Sequence, residues 1–352
     1  MADINSFSIY FMEDTRLRKF DSGLVLSVVK TLIYFRVRAI EPTLIKTQRL
    51  LINLRSVNSS SVSLYKIRKI LSWLRIKGVI KGDSSTYRWG KDQPRTTVDF
   101  SVERSKIVAE KMKIATRAVR ILKLVPSIKL IGVCGTVATG NPRKSSDIDL
   151  FIVTEKGRIW STRLWIMLLL EVIGLRKKKY KKAGKICLNH FIANNNLELK
   201  FKDLYTALEF ASMICLLDRD ETLKKLKMKN LWIEEYFPNS GWKEAESSNY
   251  WKEKIQGQRI VEIGFHPEGD QPLAGKPVST ISRIFNSLES LAMIFQERRI
   301  KRKRKQEKGG QVYWGKDALI FHPKPKSILF RKLYQEELIK QRRVIQGLIK
   351  EL

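Results

Sequence analysis

The stretch "LIGVCGTVATGNPRKSSDIDLFIV", Leu130 to Val153, restricts the possible folds more than any other part of the chain. Its two short apolar runs, set apart by Gly, Pro and Ser, have the length and composition of strands buried on both faces. The spacing predicts one strand over Ile128 to Cys134 and a second over Asp147 to Val153, with a short helix and a polar loop between them. On a strand, residues i and i+2 point to the same side. Asp147 and Asp149 therefore project together while Ile148 turns into the core. Two carboxylates this close repel one another unless a cation lies between them. Mg2+ or Mn2+ takes oxygen ligands of this kind and keeps places for phosphate oxygens. A pair of such ions could activate an attacking hydroxyl and stabilise departing pyrophosphate. Gly135-Thr136, directly after the first strand, suits close backbone approach to a triphosphate at the start of the next helix. Arg143 and Lys144 in the polar loop could neutralise phosphate charge.

The flanking sequence continues this alternation. Trp160 to Leu175 reads as an apolar helix and Ile186 to Ile192 as a third strand, and Asp203 could cap a helix reaching Cys215. Upstream, helical spacing at Leu24, Val25, Val28, Val29 and Leu32 predicts one helix, and Thr43 to Leu54 a second. A third begins near Ser61, with Leu64, Ile67, Leu71 and Leu74 as its apolar stripe. Two strand-like runs then flank Gly82-Asp83-Ser84, a hairpin signal. Three helices followed by a hairpin is the order of a winged helix, whose third helix can enter a major groove. A winged helix used only for packing has the same order. Glu103 to Leu124 predicts a long amphipathic helix that ends before Pro126. Far downstream, Ile281, Phe285, Leu288, Leu291 and Phe295 form the apolar stripe of another helix that runs into a basic segment, Arg298 to Lys308.

The expected architecture is α+β and multidomain: a tail (1–20), a winged-helix-like module (21–95), a connecting helix (96–126), an α/β core (127–239) and a helical C-terminal region (240–352). The 68 Lys and Arg outnumber the 35 Asp and Glu, giving a net charge of +33 that favours polyanions, RNA or DNA above all. A codon bias toward Lys, Ile and Asn would raise the charge with no such partner. Cys134, Cys187 and Cys215 lack metal-ligand spacing and read as reduced core thiols. The N-terminus lacks the order of a signal peptide. The longest apolar run, Leu164 to Leu175, contains Glu171 and falls short of the roughly 20 residues that cross a bilayer. The expectation is a cytoplasmic protein that does not enter the membrane.

Strand, Gly-Thr, short helix, polar loop and strand-borne Asp-x-Asp together resemble the nucleotidyltransferase superfamily, which includes DNA polymerase β, poly(A) polymerases, CCA-adding enzymes and aminoglycoside nucleotidyltransferases. Its signature, Gly-Ser, a spacer, then Asp-x-Asp ahead of an apolar strand, stands here as Gly135-Thr136 and Asp147-Ile148-Asp149-Leu150. Thr keeps the hydroxyl of the usual Ser. The segments "SSDIDLFIVTEKGRIWSTR", "KICLNHFIANNNLELKFKDLYTALEFASM" and "ALIFHP" extend the likeness to bacterial proteins that contain such a domain behind a helical N-terminal module. The resemblance implies a polymerase β-like core, metal-dependent transfer of a nucleoside monophosphate from an NTP to a hydroxyl, and Asp147 and Asp149 as metal ligands.

The same resemblance implies a third carboxylate on a later strand. The matching strand, "ICLNHFIA", offers Asn189 and His190 instead. Asn can lend a carbonyl oxygen but cannot act as a base; His190 could accept a proton or be structural. Glu198 and Asp203 lie further on. Arg158 and Arg163 could contact triphosphate or acceptor, or pair with Glu155 or Glu171. His266 and His322, far apart and each before a Pro, do not suggest a metal site. Two other readings stay open: a non-catalytic nucleotide-sensing or nucleic-acid-binding regulator, and an antitoxin-like partner that modifies or binds another protein.

Overall fold

The computed structural model describes residues 20–52, 62–82, 86–90, 97–178, 180, 182–242, 280–304, 311–322 and 326–352. All of the expected tail except Phe20 lies outside them, as do the turn of the expected hairpin (83–85), His266 and the end of the basic segment (305–308).

Three helices open the described chain: α1 (Ser22–Val37), α2 (Leu44–Arg49) and α3 (Leu64–Ile76). Side-chain oxygens of Asp21, Thr43 and Ser63 cap them, satisfying N–H groups that a helix leaves without partners. The second helix is shorter than the spacing predicted. The Ser27 and Thr31 hydroxyls of α1 bind the carbonyl and N–H of Ile52, which draws the chain out of helix after Leu50. On α3 the inner face is Ile67, Ile70, Leu71 and Leu74, while Leu64, expected in that stripe, is exposed. A hairpin of β1 (Ile80–Gly82) and β2 (Tyr87–Trp89) follows, with Ile80 opposite Trp89.

The long helix α4 (Thr97–Leu122) leads to β3 (Ile128–Cys134), the single turn α5 (Gly135–Ala138), β4 (Ile148–Thr154), α6 (Ile159–Val172) and β5 (Ile186–Ala193). Next come α7 (Leu204–Ala211), β6 (Ile214–Asp218), α8 (Thr222–Lys229) and α9 (Ile233–Tyr236). The helix capped by Asp203 stops at Ala211, short of Cys215. The reason is non-local: Cys215 pairs with Gly132, so the run that continues the helical spacing becomes an edge strand.

After α10 (Thr280–Arg304), β7 (Gln311–Trp314) and β8 (Ala318–His322) precede α11 (Lys326–Lys340) and α12 (Arg342–Lys350). The C-terminal region is thus helical only in part. It supplies two strands to a six-stranded sheet of order β6-β3-β4-β5-β8-β7, in which β4 and β5 are parallel and the other neighbours antiparallel.

Alternation along the strands divides the core in two. Ile131, Val133, Ile148, Leu150, Ile152 and Phe191 face α4, α6 and α10. Leu130, Phe151, Val153 and Ile192 face α7 and α8, together with Tyr34 and Phe35 of α1. A third cluster joins α1, α3 and the hairpin to Leu348 of α12. Of the stripe expected to bury α10, Leu288, Leu291 and Phe295 are exposed, and the side chains of Ile281 and Phe285 lie outside the described residues. Its docking face is the small Ala292 with Glu289 and Gln296. Glu289 accepts hydrogen bonds from the Trp160 and Ser161 N–H groups, at 2.8 Å each, at the start of α6. A carboxylate is favoured there because a helix N-terminus carries partial positive charge.

Candidate functional site

The two aspartates sit where β3 ends and β4 begins. Cys134 is paired with Asp149 across the two strands, so the chain leaves β3 directly beneath that carboxylate. Gly135 makes this close approach possible. Its φ is +67°, and a Cβ there would stand 2.5 Å from Asp149 Oδ2. Thr136 lies in the single turn α5, which is too short for a substantial helix dipole, so any phosphate contact here would rest on local N–H groups. The Thr139 hydroxyl closes the turn on the Gly135 carbonyl at 2.9 Å.

The loop before Asp147 is held from α4. Lys111 Nζ donates to the carbonyls of Lys144, at 3.2 Å, and Ser146, at 2.6 Å. Burial lowers the Lys111 pKa, and the Asp147 charge opposes that. Arg143 and Lys144 are exposed, and Lys144 pairs with Glu103 at 3.1 Å.

A bulge in β5 decides which of its polar residues reaches the aspartates. The β4–β5 register steps by one residue, from Leu150 opposite Leu188 to Phe151 opposite His190. Asn189 occupies the step, and its Nδ2 donates to Asp149 Oδ1 at 2.9 Å. His190 lies instead between Phe151 and Phe210, with ring centroids at 5.0 and 5.7 Å. Cys187, opposite Asp149, donates from Sγ to Asn189 Oδ1 at 2.5 Å. Lys177, in the segment leading into β5, donates from Nζ to Asp147 Oδ2 and lies 3.0 Å from Cys187 Sγ.

The electrostatics follow from this arrangement. Burial, then the Asp147 charge, pushes the Asp149 carboxyl up to about 6. Burial would also raise Asp147, but the Lys177 ammonium more than offsets it and holds that carboxyl below its usual value. The Cys187 thiol is driven up to about 12, first by burial and next by Asp149. One oxygen or sulfur from each of Asp147, Asp149 and Cys187 lies within 4.8 Å of the others. A neutral thiol is a poor ligand for a hard cation, whereas two carboxylates are good ones. An uncompensated Asp149 beside a second acid is the state that a divalent ion would relieve. The donor set therefore fits Mg2+ or Mn2+ on the carboxylates, with the Asn189 amide beside them in place of a third acid.

Other expected site residues lie elsewhere. Arg158 Nη1 donates to Asn286 of α10 at 3.1 Å. Arg163 is half-buried, bonded to Gln296 and set over the Phe321 ring, and desolvation lowers its pKa to about 10. Glu198 pairs with Lys202 on the surface, and Asp203 caps α7.

Arg38, at the end of α1, lies over the Tyr205 and Phe330 rings, at 4.2 and 4.5 Å, and those rings stack on one another at 5.8 Å. It lies 3.9 Å from Glu209 of α7, whose charge contributes to the raised Asp149 pKa. Sequence reasoning missed Lys111, Lys177, Cys187 and Glu209. Only Cys187 had a local signal, since i and i+2 on a strand share a side with Asn189. The others are brought in by tertiary packing.

Residues 111–210 match the family model described as a nucleotidyltransferase domain. The match spans α4 to α7 and so includes Gly135, Thr136, both aspartates, Lys177 and Asn189. It is consistent with the polymerase β-like nucleotidyltransferase superfamily that the Gly-Thr and Asp-x-Asp motifs resemble. No curated protein and no solved structure matches the chain. Among the described residues, no helix is long and apolar enough to cross a membrane.

Proposed function

We propose that this protein transfers a nucleoside monophosphate from an NTP to the hydroxyl of an acceptor, releasing pyrophosphate. The observation that carries this reading is the convergence of Asp147, Asp149 and Asn189 beside Gly135. Mg2+ or Mn2+, when bound, would supply charge neutralisation at the phosphates and at the attacking oxygen. Asp147 and Asp149 would hold it, while Gly135 and Thr136 would receive the triphosphate. Asn189 orients Asp149 through the 2.9 Å hydrogen bond and cannot itself take a proton. Arg143 and Lys144, exposed on the loop ahead of Asp147, would meet phosphate or acceptor, Lys144 on leaving Glu103. Arg158, held by Asn286, would have to exchange that partner to join them.

The reading is tested by incubating the protein with each α-labelled NTP, Mg2+ and pools of RNA or protein. Label should enter one pool, and Asp147→Ala with Asp149→Ala should abolish it. No transfer to any pool would reject the reading.

A second reading, a nucleic-acid-binding regulator, is favoured by one observation. Lys66, Arg68, Lys69 and Arg75 of α3, the helix that precedes the β1–β2 hairpin, are exposed. We read residues 21–95 as a winged-helix-like module and the +33 charge as its electrostatic support. Replacing Lys66, Lys69 and Arg75 by Glu should weaken duplex binding and flatten its salt dependence. Unaltered binding would remove the nucleic-acid role from this helix. The three free cysteines suit a reducing compartment, the cytoplasm.

A further inference from the structure

We infer that Lys177 is the resident cation of the aspartate pair, competing with the divalent ion for the place beside Asp147, so that the site loads only when this side chain withdraws. The inference rests on the reading of Asp147 and Asp149 as metal ligands and concerns the regulation of that same site.

Three features separate this contact from an ordinary surface ion pair. First, Lys177 Nζ reaches two members of the cluster at once, Asp147 Oδ2 and Cys187 Sγ. Since the ligand atoms of the cluster lie within 4.8 Å of one another, the ammonium lies within the coordination space of a bound ion. Second, the neighbouring basic side chains are engaged elsewhere. Arg176 and Lys178 both pair with Glu171 of α6, at 3.1 and 2.5 Å, so Lys177 alone of this triplet is directed at the aspartates. Third, the backbone here is held by hydrogen bonds of its own, separate from those of the side chain. The Lys177 N–H donates to the Ile186 carbonyl at 3.1 Å, and the Ile186 N–H donates to the Leu175 carbonyl at 2.8 Å. Withdrawal therefore needs only rotation about the bonds of a flexible four-carbon stem, with no movement of β5.

The physical consequence is direct. Two carboxylates and one ammonium leave one negative charge, so Lys177 makes the ion-free state tolerable without fully neutralising it. A divalent ion entering beside Asp147 would meet a like charge and must displace it. Once displaced, the ammonium stays within reach of anionic phosphates, so a nucleotide arriving with the ion would reward the exchange and an ion alone would not.

The test is Mn2+ binding to the full chain, followed by the electron paramagnetic resonance signal of the free ion at low ionic strength. Lys177→Met and Lys177→Gln should bind Mn2+ at least about tenfold more tightly than wild type, a difference of about 1.4 kcal/mol. Lys177→Arg, which keeps the charge, should stay near the wild-type affinity. In chelator, both neutral variants should melt below wild type, and Mn2+ should restore them by more than it raises wild type. Equal or weaker Mn2+ binding by both neutral variants would overturn the inference while leaving the metal site intact. Mn2+ binding that survives Asp147→Asn with Asp149→Asn, or no binding by any form, would reject the metal-centre reading and this inference with it.

Discussion

Asp149→Asn exchanges function for stability, and the size of the exchange can be worked from the site. The carboxyl lies against Gly135, accepts from Asn189 and has Asp147 as a near neighbour. Burial and that neighbour move its pKa from 3.8 to about 6. Such a displacement corresponds to at most about 3 kcal/mol, since the residue keeps some contact with solvent. The sign follows from proton linkage. Folded Asp149 holds a proton more readily than unfolded Asp149, so its contribution is full below pH 3.8 and lost as pH rises to about 6. Asn keeps an oxygen to accept from Asn189 and carries no charge to lose. In chelator, the variant should therefore gain on wild type between about pH 4 and 6 and hold a constant advantage above that. Urea unfolding midpoints at about pH 4.5, 6 and 7.5 read this directly. Excess Mg2+ should reverse the order, because it stabilises only the protein that binds it. A variant less stable than wild type near neutral pH in chelator, or a gain that ignores pH, would refute the electrostatic account.

Three further changes probe the surroundings of that carboxylate. Gly135→Ala puts a side chain into left-handed backbone and a Cβ 2.5 Å from Asp149 Oδ2; titration calorimetry should show Mg-NTP binding weakened at least about tenfold, at roughly 1–2 kcal/mol of backbone strain. Asn189→Asp supplies the missing third acid: Mn2+ affinity should rise, and stability in chelator should fall by about 1–3 kcal/mol through like-charge repulsion and the lost hydrogen bond. Arg38→Met removes the partner of Glu209 and the cation beside the stacked Tyr205 and Phe330 rings; urea unfolding should show a loss of about 3 kcal/mol, as for other broken buried pairs.

What could be read in the chain was what is local. β3, β4 and β5 announce themselves as apolar runs, and Asp147 with Asp149 follows from the two-residue period of a strand. The same period could not choose between Asn189 and His190, because the bulge that seats Asn189 on Asp149 is a register step with no sequence mark. Pairings across long stretches were equally silent. Leu319 and Ile320 join the sheet beside Phe191 and His190, and Cys215 joins it beside Gly132, where spacing read helix. On α10, hydrophobic spacing named Leu288, Leu291 and Phe295 as the buried face, yet the helix docks through Glu289, Ala292 and Gln296. The N–H groups at the start of α6 needed an acid more than an apolar cover. Lys177 was hidden in a run of basic residues that composition alone treats as solvated surface.

The central claim, that Asp147 and Asp149 direct cleavage between the α and β phosphates of an NTP, is tested most directly by the fate of two labels. With Mg2+ and the acceptor pool, an α-labelled NTP should leave its label on the acceptor. The matching γ-labelled NTP should yield labelled pyrophosphate, and both results should vanish in Asp147→Ala with Asp149→Ala. Transfer of the γ label, release of γ label as orthophosphate, or α-label transfer that survives loss of both aspartates would contradict the account.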